Sequence, residues 1–316
     1  MATYILRRLI TLIPVLIIVG VIVFGIVHLT PGDPAAVMAG QSGTPEQIER
    51  IRQSLGLDRP LWDQFVDWFS GLIRLDFGES IFLGMSVTDA IVERAQPTLL
   101  LTFYALLIQM IIGIPAGVIA AVKRNSWIDR SLMVISISGA AIPTFFLGIL
   151  LILLFSVRLR WLPSGGYVPL TEDPIEHWKS MIMPAFALGF SSAALLARMV
   201  RSTMLEVLRE DYVRTAYAKG IAQRQVVIRH ALRNALIPVI TVIGASMGAL
   251  LGGAVVTELV FTIPGMGRLV VQSIARRDFP VIQGAVMIIA GIYVLVNLLV
   301  DILYVYIDPR VRYGDK

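Results

Sequence analysis

The first stretch whose residue types could do chemistry is Gly244-Ala245-Ser246-Met247-Gly248, which matches the G-x-S-x-G of hydrolases. A serine nucleophile of that kind needs a sharp strand-to-helix turn and a base within reach. Here the pentapeptide sits inside an apolar helical run, so no catalytic residue is expected. The histidines His28, His177 and His230 are scattered, with no pair at helical spacing, and the chain has no cysteine. Neither a metal site nor a disulfide framework is expected. No G-x-x-x-x-G-K-S/T phosphate loop occurs, so the chain is not expected to hold ATP or Mg itself.

Two acidic residues lie in or beside apolar runs, where an ionisable group is costly and points to a functional or structural task. Asp301 stands four residues after Asn297 on one helix face, toward the inner end of its run. A structural tie to an arginine suits it better than contact with a solute. Glu258, near the outer mouth, has the stronger claim to meet a solute. Gly244, Gly248 and Gly252 recur at spacing four. They make a smooth groove where another helix, of this chain or of a partner, can approach closely.

The elements that must position these residues are membrane helices. The chain is 56% hydrophobic and 16% charged, and its mean hydropathy is +0.77, values that suit a bilayer better than water. Six apolar runs are long enough to span, since about 20 residues cross a hydrocarbon core of about 30 Å. They are Leu9 to Leu29, Thr98 to Val122, Leu132 to Val157, Met181 to Val200, Ala235 to Thr257 and Val281 to Ile307. None alternates as a barrel strand does, so the predicted fold is an all-α polytopic bundle, a single transmembrane domain over residues 1–316. The first run, 21 residues after Arg7 and Arg8, exceeds a signal-peptide core and reads as a retained anchor.

Charge sets the expected orientation, because cytoplasmic loops retain Lys and Arg. With both termini inside, the inner segments carry 16 Lys and Arg against 6 Asp and Glu, and the outer loops 11 against 15. Topology thus accounts for the formal net charge of +5. No basic cluster interleaved with stacking aromatics is present, so nucleic acid is not an expected partner.

Two segments between the runs are large enough for work of their own. The outer one, Thr30 to Arg94, opens with Pro31-Gly32-Asp33-Pro34, which stops the helix and turns the chain. Pro45 to Leu55 and Trp62 to Ile73 read as short amphipathic helices near the interface. They suit either a cap on the bundle or a docking platform for an external protein. The inner segment, Arg201 to Asn234, reads as helix, break, helix, with Leu205, Leu208, Tyr212, Ala216 and Tyr217 on roughly one face and Gly220 as a C-cap. Exposed apolar side chains on a short inner helix need a cover, either the chain's own helices or a soluble partner.

Asp211-Tyr212-Val213-Arg214-Thr215-Ala216-Tyr217-Ala218-Lys219-Gly220, followed by His230-Ala231-Leu232-Arg233-Asn234-Ala235-Leu236-Ile237-Pro238, resembles the EAA loop of ABC importer permeases. The chain looks most like the dipeptide, oligopeptide, glutathione and nickel branch, which shares the opening Pro31-Gly32-Asp33-Pro34 and the late Pro264-Gly265-Met266-Gly267-Arg268. It departs from the general pattern at Arg214-Thr215-Ala216, where Glu-Ala-Ala would stand, and has 17 residues between Gly220 and Pro238. Asp211, Tyr212, Ala216, Gly220 and Pro238 are therefore the positions carried over as docking and coupling residues.

The resemblance implies the type I permease fold and a heteromeric importer in the bacterial inner membrane. Its other members would be a homologous second permease, two ABC ATPase subunits that bind ATP and Mg, and an extracytoplasmic solute-binding protein. It also implies alternating access driven through the helix around Asp211 to Gly220. A channel or scaffold, the other class of function open to such a bundle, has no use for a coupling loop.

Overall fold

The computed structural model describes residues 2–29, 34–40, 43–54 and 56–307. Pro31, Gly32 and Asp33 lie outside that range, as does the side chain of Asp301. The elements of the described chain are all helices, joined by turns and loops, and its one extended pairing is a bridge between Glu79 and Ser86. It forms two compact units, Met1–Gln96 with Gly265–Val294, and Pro97–Pro264 with Leu295–Lys316.

In the first unit the elements are α1 (Ala2–Leu29), α2 (Pro34–Ala39), α3 (Pro45–Ser54), α4 (Leu61–Ile73), the opening turns of α5 (Val87–Val122), α12 (Met266–Arg276) and the first part of α13 (Phe279–Ile307). The two amphipathic helices expected after the first run are α3 and α4. Aromatic residues tie α4 to α1: the Phe24 ring lies 5.3 Å from Phe65 and 5.7 Å from Trp68. A second cluster gathers Phe77, Val87, Ile91, Met266, Leu269, Val281 and Ala285. Buried Asp278, between α12 and α13, accepts from Ser80 Oγ at 2.5 Å and from the Ile81 amide at 3.3 Å. That contact fixes the turn from Gly78 to Val87.

The second unit holds the rest of α5, then α6 (Trp127–Ala141), α7 (Thr144–Leu151), which continues as a π-helix over Ile152–Arg158, α8 (Pro174–Val207), α9 (Asp211–Ala218), α10 (Gln223–Gln225), a π-helix over Val226–Leu232, and α11 (Arg233–Val260). α8 starts where its sequence dictates. Asp173 accepts from the amides of Ile175 and Glu176, and Pro174, whose missing N–H would be unpaired anyway, fills the first position.

α5 and α8 run side by side in the same direction and touch through small residues. A Cβ on Gly113 would stand 2.9 Å from the Ala193 carbonyl, and one on Gly117 would stand 2.6 Å from both the Ala197 carbonyl and Val200 Cβ. Gly189 of α8 meets the backbone of Ala105 in the same way. Such approach lets helices gain dispersion contact where lipid offers no hydrophobic drive.

Among the described residues four helices are long and apolar enough to cross a membrane: Val87–Val122, Pro174–Val207, Gln223–Val260 and Phe279–Val300. Leu9 to Leu29 falls within α1, whose described apolar stretch is Ile10–Ile26. The run Leu132 to Val157, expected as one span, is broken by a bend of 102° between α6 and α7. Pro143 is the cause. It pushes Ile142 out of the helical region, to φ −76° and ψ 122°, and cannot itself donate to the ladder.

Candidate functional site

The segment joining α8 to α11 is built locally. α8 stops at Val207, and Leu208 to Glu210 separate it from α9, so the apolar face expected to run from Leu205 through Tyr217 is interrupted there. Within α9 the residues that pack are Val213 and Ala216, which join Val226, Val207, Leu208 and Ile221 in a small core. Tyr212 and Tyr217 are each 41% exposed. Ala216 thus anchors α9 to its own chain, and Thr215, Tyr217, Ala218 and Lys219 form its free surface.

The helix ends in a Schellman motif. Gly220 N–H donates to the Tyr217 carbonyl at 2.9 Å, and Ile221 N–H reaches the Ala216 carbonyl at 3.3 Å. Gly220 adopts φ +76°, a conformation that side chains with a Cβ resist. Asp211 occupies the first turn, where a carboxylate complements the helix dipole. Thr215 Oγ1 donates back to the Asp211 carbonyl at 2.9 Å.

Tyr212 closes the excursion. Its hydroxyl accepts from Asn234 Nδ2 at 2.7 Å and donates to the His230 carbonyl at 3.4 Å, joining α9 to the root of α11. Pro238 follows four residues after Asn234 inside α11 and supplies no amide for the Asn234 carbonyl. Arg224, Gln225, Ile228, Arg229 and Arg233 line an open, positively charged groove of about 650 Å³.

The spacing of residues did not reveal a bidentate ion pair in this unit. Arg201 grips Asp129 with two parallel bonds, Nε to Oδ1 at 2.6 Å and Nη2 to Oδ2 at 2.8 Å. The Asn125 amide adds a third at 2.9 Å, and the Asp129 amide donates to Ser126 Oγ at 3.3 Å. The pair fixes the start of α6 to the end of α8, six residues before α8 stops. An acid in the first turn of α6 was visible in the sequence, but a partner 72 residues away was not.

The remaining expected residues are dispersed. Glu258 is fully buried and accepts from Thr98 Oγ1 at 2.5 Å, so it faces no solvent here. Gly244 is packed against Val300 of α13, Gly248 is half-buried, and a Cβ on Gly252 would enter open space. Ser246 Oγ of the hydrolase-like pentapeptide lies 3.0 Å from Gln109 Oε1 and 2.7 Å from the Ile243 carbonyl, two acceptors that compete for its single proton and neither of which is a base that could activate it. His177 is buried, with Nδ1 2.6 Å from the Val168 carbonyl and Nε2 3.0 Å from Tyr104 Oη. Nearby, the Tyr167 hydroxyl is buried without a hydrogen-bond partner among the described residues. Burial pushes that phenol above its ordinary range, helped by Tyr104 and Glu172. Among the described residues no cluster of three metal-ligating side chains occurs.

Comparison with known proteins bears on the same segments. The family of binding-protein-dependent transport system inner membrane components matches residues 113–313, and its N-terminal family matches residues 1–81. The glutathione transport system permease protein GsiC of Escherichia coli strain K12 is 47% identical over 99% of this chain and 100% of its own length. A probable peptide ABC transporter permease protein, y4tP, of Sinorhizobium fredii is 44% identical over the same shares. In fold, the chain is similar to a structure of the MetNI methionine ABC transporter in an inward-facing conformation, with a TM-score of 0.59 and 20% identity over 69% of this chain and 96% of that one. This chain belongs to the binding-protein-dependent transport system inner membrane components and is a multi-pass permease subunit of an ATP-driven importer.

Proposed function

We propose that this permease imports short peptides or related small solutes such as glutathione, forming half of a translocation pathway whose other half is a homologous permease. Relatives named for glutathione and for peptides, similar along nearly the whole chain, support that solute class. In this reading the chain has six spans with both termini in the cytoplasm. Residues 30–94 lie on the outer side, where a solute-binding protein delivers its cargo, and 201–234 face two ABC ATPases that bind ATP and Mg.

The observation that carries the proposal is α9. It is a short polar helix between two long apolar ones, held to the root of α11 by Tyr212 and free on the face of Thr215, Tyr217, Ala218 and Lys219. ATP binding would draw the ATPases together, α9 would ride with them, and the bundle would switch between its two openings. Such a switch needs two states that nucleotide favours unequally.

The test uses the complex purified with its partner subunits and reconstituted in nanodiscs or vesicles. Tyr217→Asp with Ala218→Arg changes the free face and leaves Val213 and Ala216 in their core. Loss of binding-protein-stimulated ATP hydrolysis and of uptake is expected. Undiminished uptake by a correctly assembled variant would refute the role of α9. Stimulation by binding proteins for unrelated solutes only would refute the peptide assignment.

A further inference from the structure

We propose that α4 is a lipid-embedded helix, its exposed flank resting against the acyl chains of the bilayer rather than against the soluble solute-binding protein.

The sequence of α4 is apolar over much of its circumference. At about 100° per residue, Leu61, Trp62, Phe65, Val66, Trp68, Phe69, Leu72 and Ile73 occupy one continuous arc, roughly 160° wide. Asp63, Gln64, Asp67 and Ser70 fill the opposite side. One part of the apolar arc is already used. Phe65 and Trp68 meet Phe24 of α1, and a Cβ on Gly20 would lie 3.5 Å from Phe69. The rest is uncovered: Trp62 is 71% exposed, Val66 45% and Ile73 73%, and α4 has no buried residue at all.

The occupant follows from what α4 packs on. α1 exposes Ile13, Ile17, Ile18, Val21 and Ile22, the surface that a membrane subunit gives to lipid. α4 packs on this same helix through Phe24 and Gly20, so its uncovered flank belongs to an element seated on a lipid-facing helix. The charges of α4 are kept away from this flank, and Asp67 is engaged by Arg59. A helix with one apolar face, a polar back and tryptophan in its first turn has the composition of interfacial membrane helices. A soluble partner would have to leave this apolar flank in water whenever it departs.

The chain holds no cysteine, so with cysteine-free partner subunits a single introduced cysteine carries a nitroxide label at one known place. In the full importer complex in lipid nanodiscs, labels at Trp62→Cys, Val66→Cys and Ile73→Cys should collide more with oxygen than with a water-soluble nickel chelate. Labels at Asp63→Cys and Ser70→Cys should show the reverse. Chelate collisions that dominate at all five positions would overturn the proposal in favour of an aqueous surface. Immobile labels shielded from both reagents on the Trp62 flank would overturn it in favour of a protein partner. A second measurement leaves the flank chemically intact: in bilayers with brominated acyl chains, the emission lost on Trp62→Phe substitution should be the quenched share. If that share survives bromination undiminished, the proposal is wrong.

Discussion

Arg201→Met should destabilise the second unit by about 3 kcal/mol, and the size follows from the geometry. Asp129 retains only 4% exposure of its side chain, so losing the guanidinium leaves a carboxylate with little water to replace it. Removing one partner of a buried ion pair costs about 3–5 kcal/mol. The lower end applies because Arg201 is 26% exposed and the Asn125 amide at 2.9 Å still donates to the carboxylate. The double variant Asp129→Asn with Arg201→Met removes the stranded charge while keeping an acceptor for Asn125, so it should recover about 2 kcal/mol of the loss. Thermal unfolding of the assembled complex, followed by intrinsic fluorescence, is the assay. A midpoint drop of roughly 6–12 °C is expected for the single variant, by the scaling of ordinary domains, and a visibly smaller one for the double. A single variant within about 1 kcal/mol of the parent, or a double variant that is the additive sum of both singles, would refute the reasoning.

Further outcomes follow from other contacts. Gly220→Val should cost about 1–2 kcal/mol, because φ is +76° while nothing lies within 4 Å of a new Cβ; Gly220→Asn should be milder, and similar loss from both would point to a steric cause instead. Gly117→Val should lower the yield of assembled complex and cost about 1–3 kcal/mol or more, since Ala197 and Val200 leave no room; an unchanged thermal midpoint would show that α5 and α8 separate easily. Tyr167→Phe should be neutral or stabilising by about 1 kcal/mol, because it deletes a buried hydroxyl that has no partner among the described residues. Because the folded phenol holds its proton more tightly than the unfolded one, the parent loses stability as pH rises from the unfolded range through the folded value, a loss the variant is spared. An alkaline spectrophotometric titration should show one late-ionising tyrosine fewer in this variant.

Apolar run length is set by bilayer thickness, so the helices were legible from composition, and α3 and α4 were legible from periodicity. Pro143 shows where such reading stops. Pro97, Pro115, Pro184 and Pro238 all lie inside continuous helices, so a proline alone does not announce a break; its neighbours decide whether the freed groups are satisfied. The coupling segment was recognisable as a segment, yet the division of labour on α9 was not. Val213 rather than Tyr212 faces the core because α9 begins anew after Glu210, and that interruption has no marker as strong as proline. Contacts such as Asp129 with Arg201, or Thr98 with Glu258, join residues far apart in the chain, and local spacing carries no record of them.

The bond between Tyr212 and Asn234 makes the inner excursion a closed hoop instead of an open arm. An open arm pushed at its tip would bend along its length, and most of the displacement would be lost in the turns around Gly220 and Gln223. In the hoop, load applied to α9 enters the first turn of α11 through one phenol ring, and the intervening stretch is bypassed. Cutting the hoop with Tyr212→Phe would leave every helix in place while lengthening the path that force must follow.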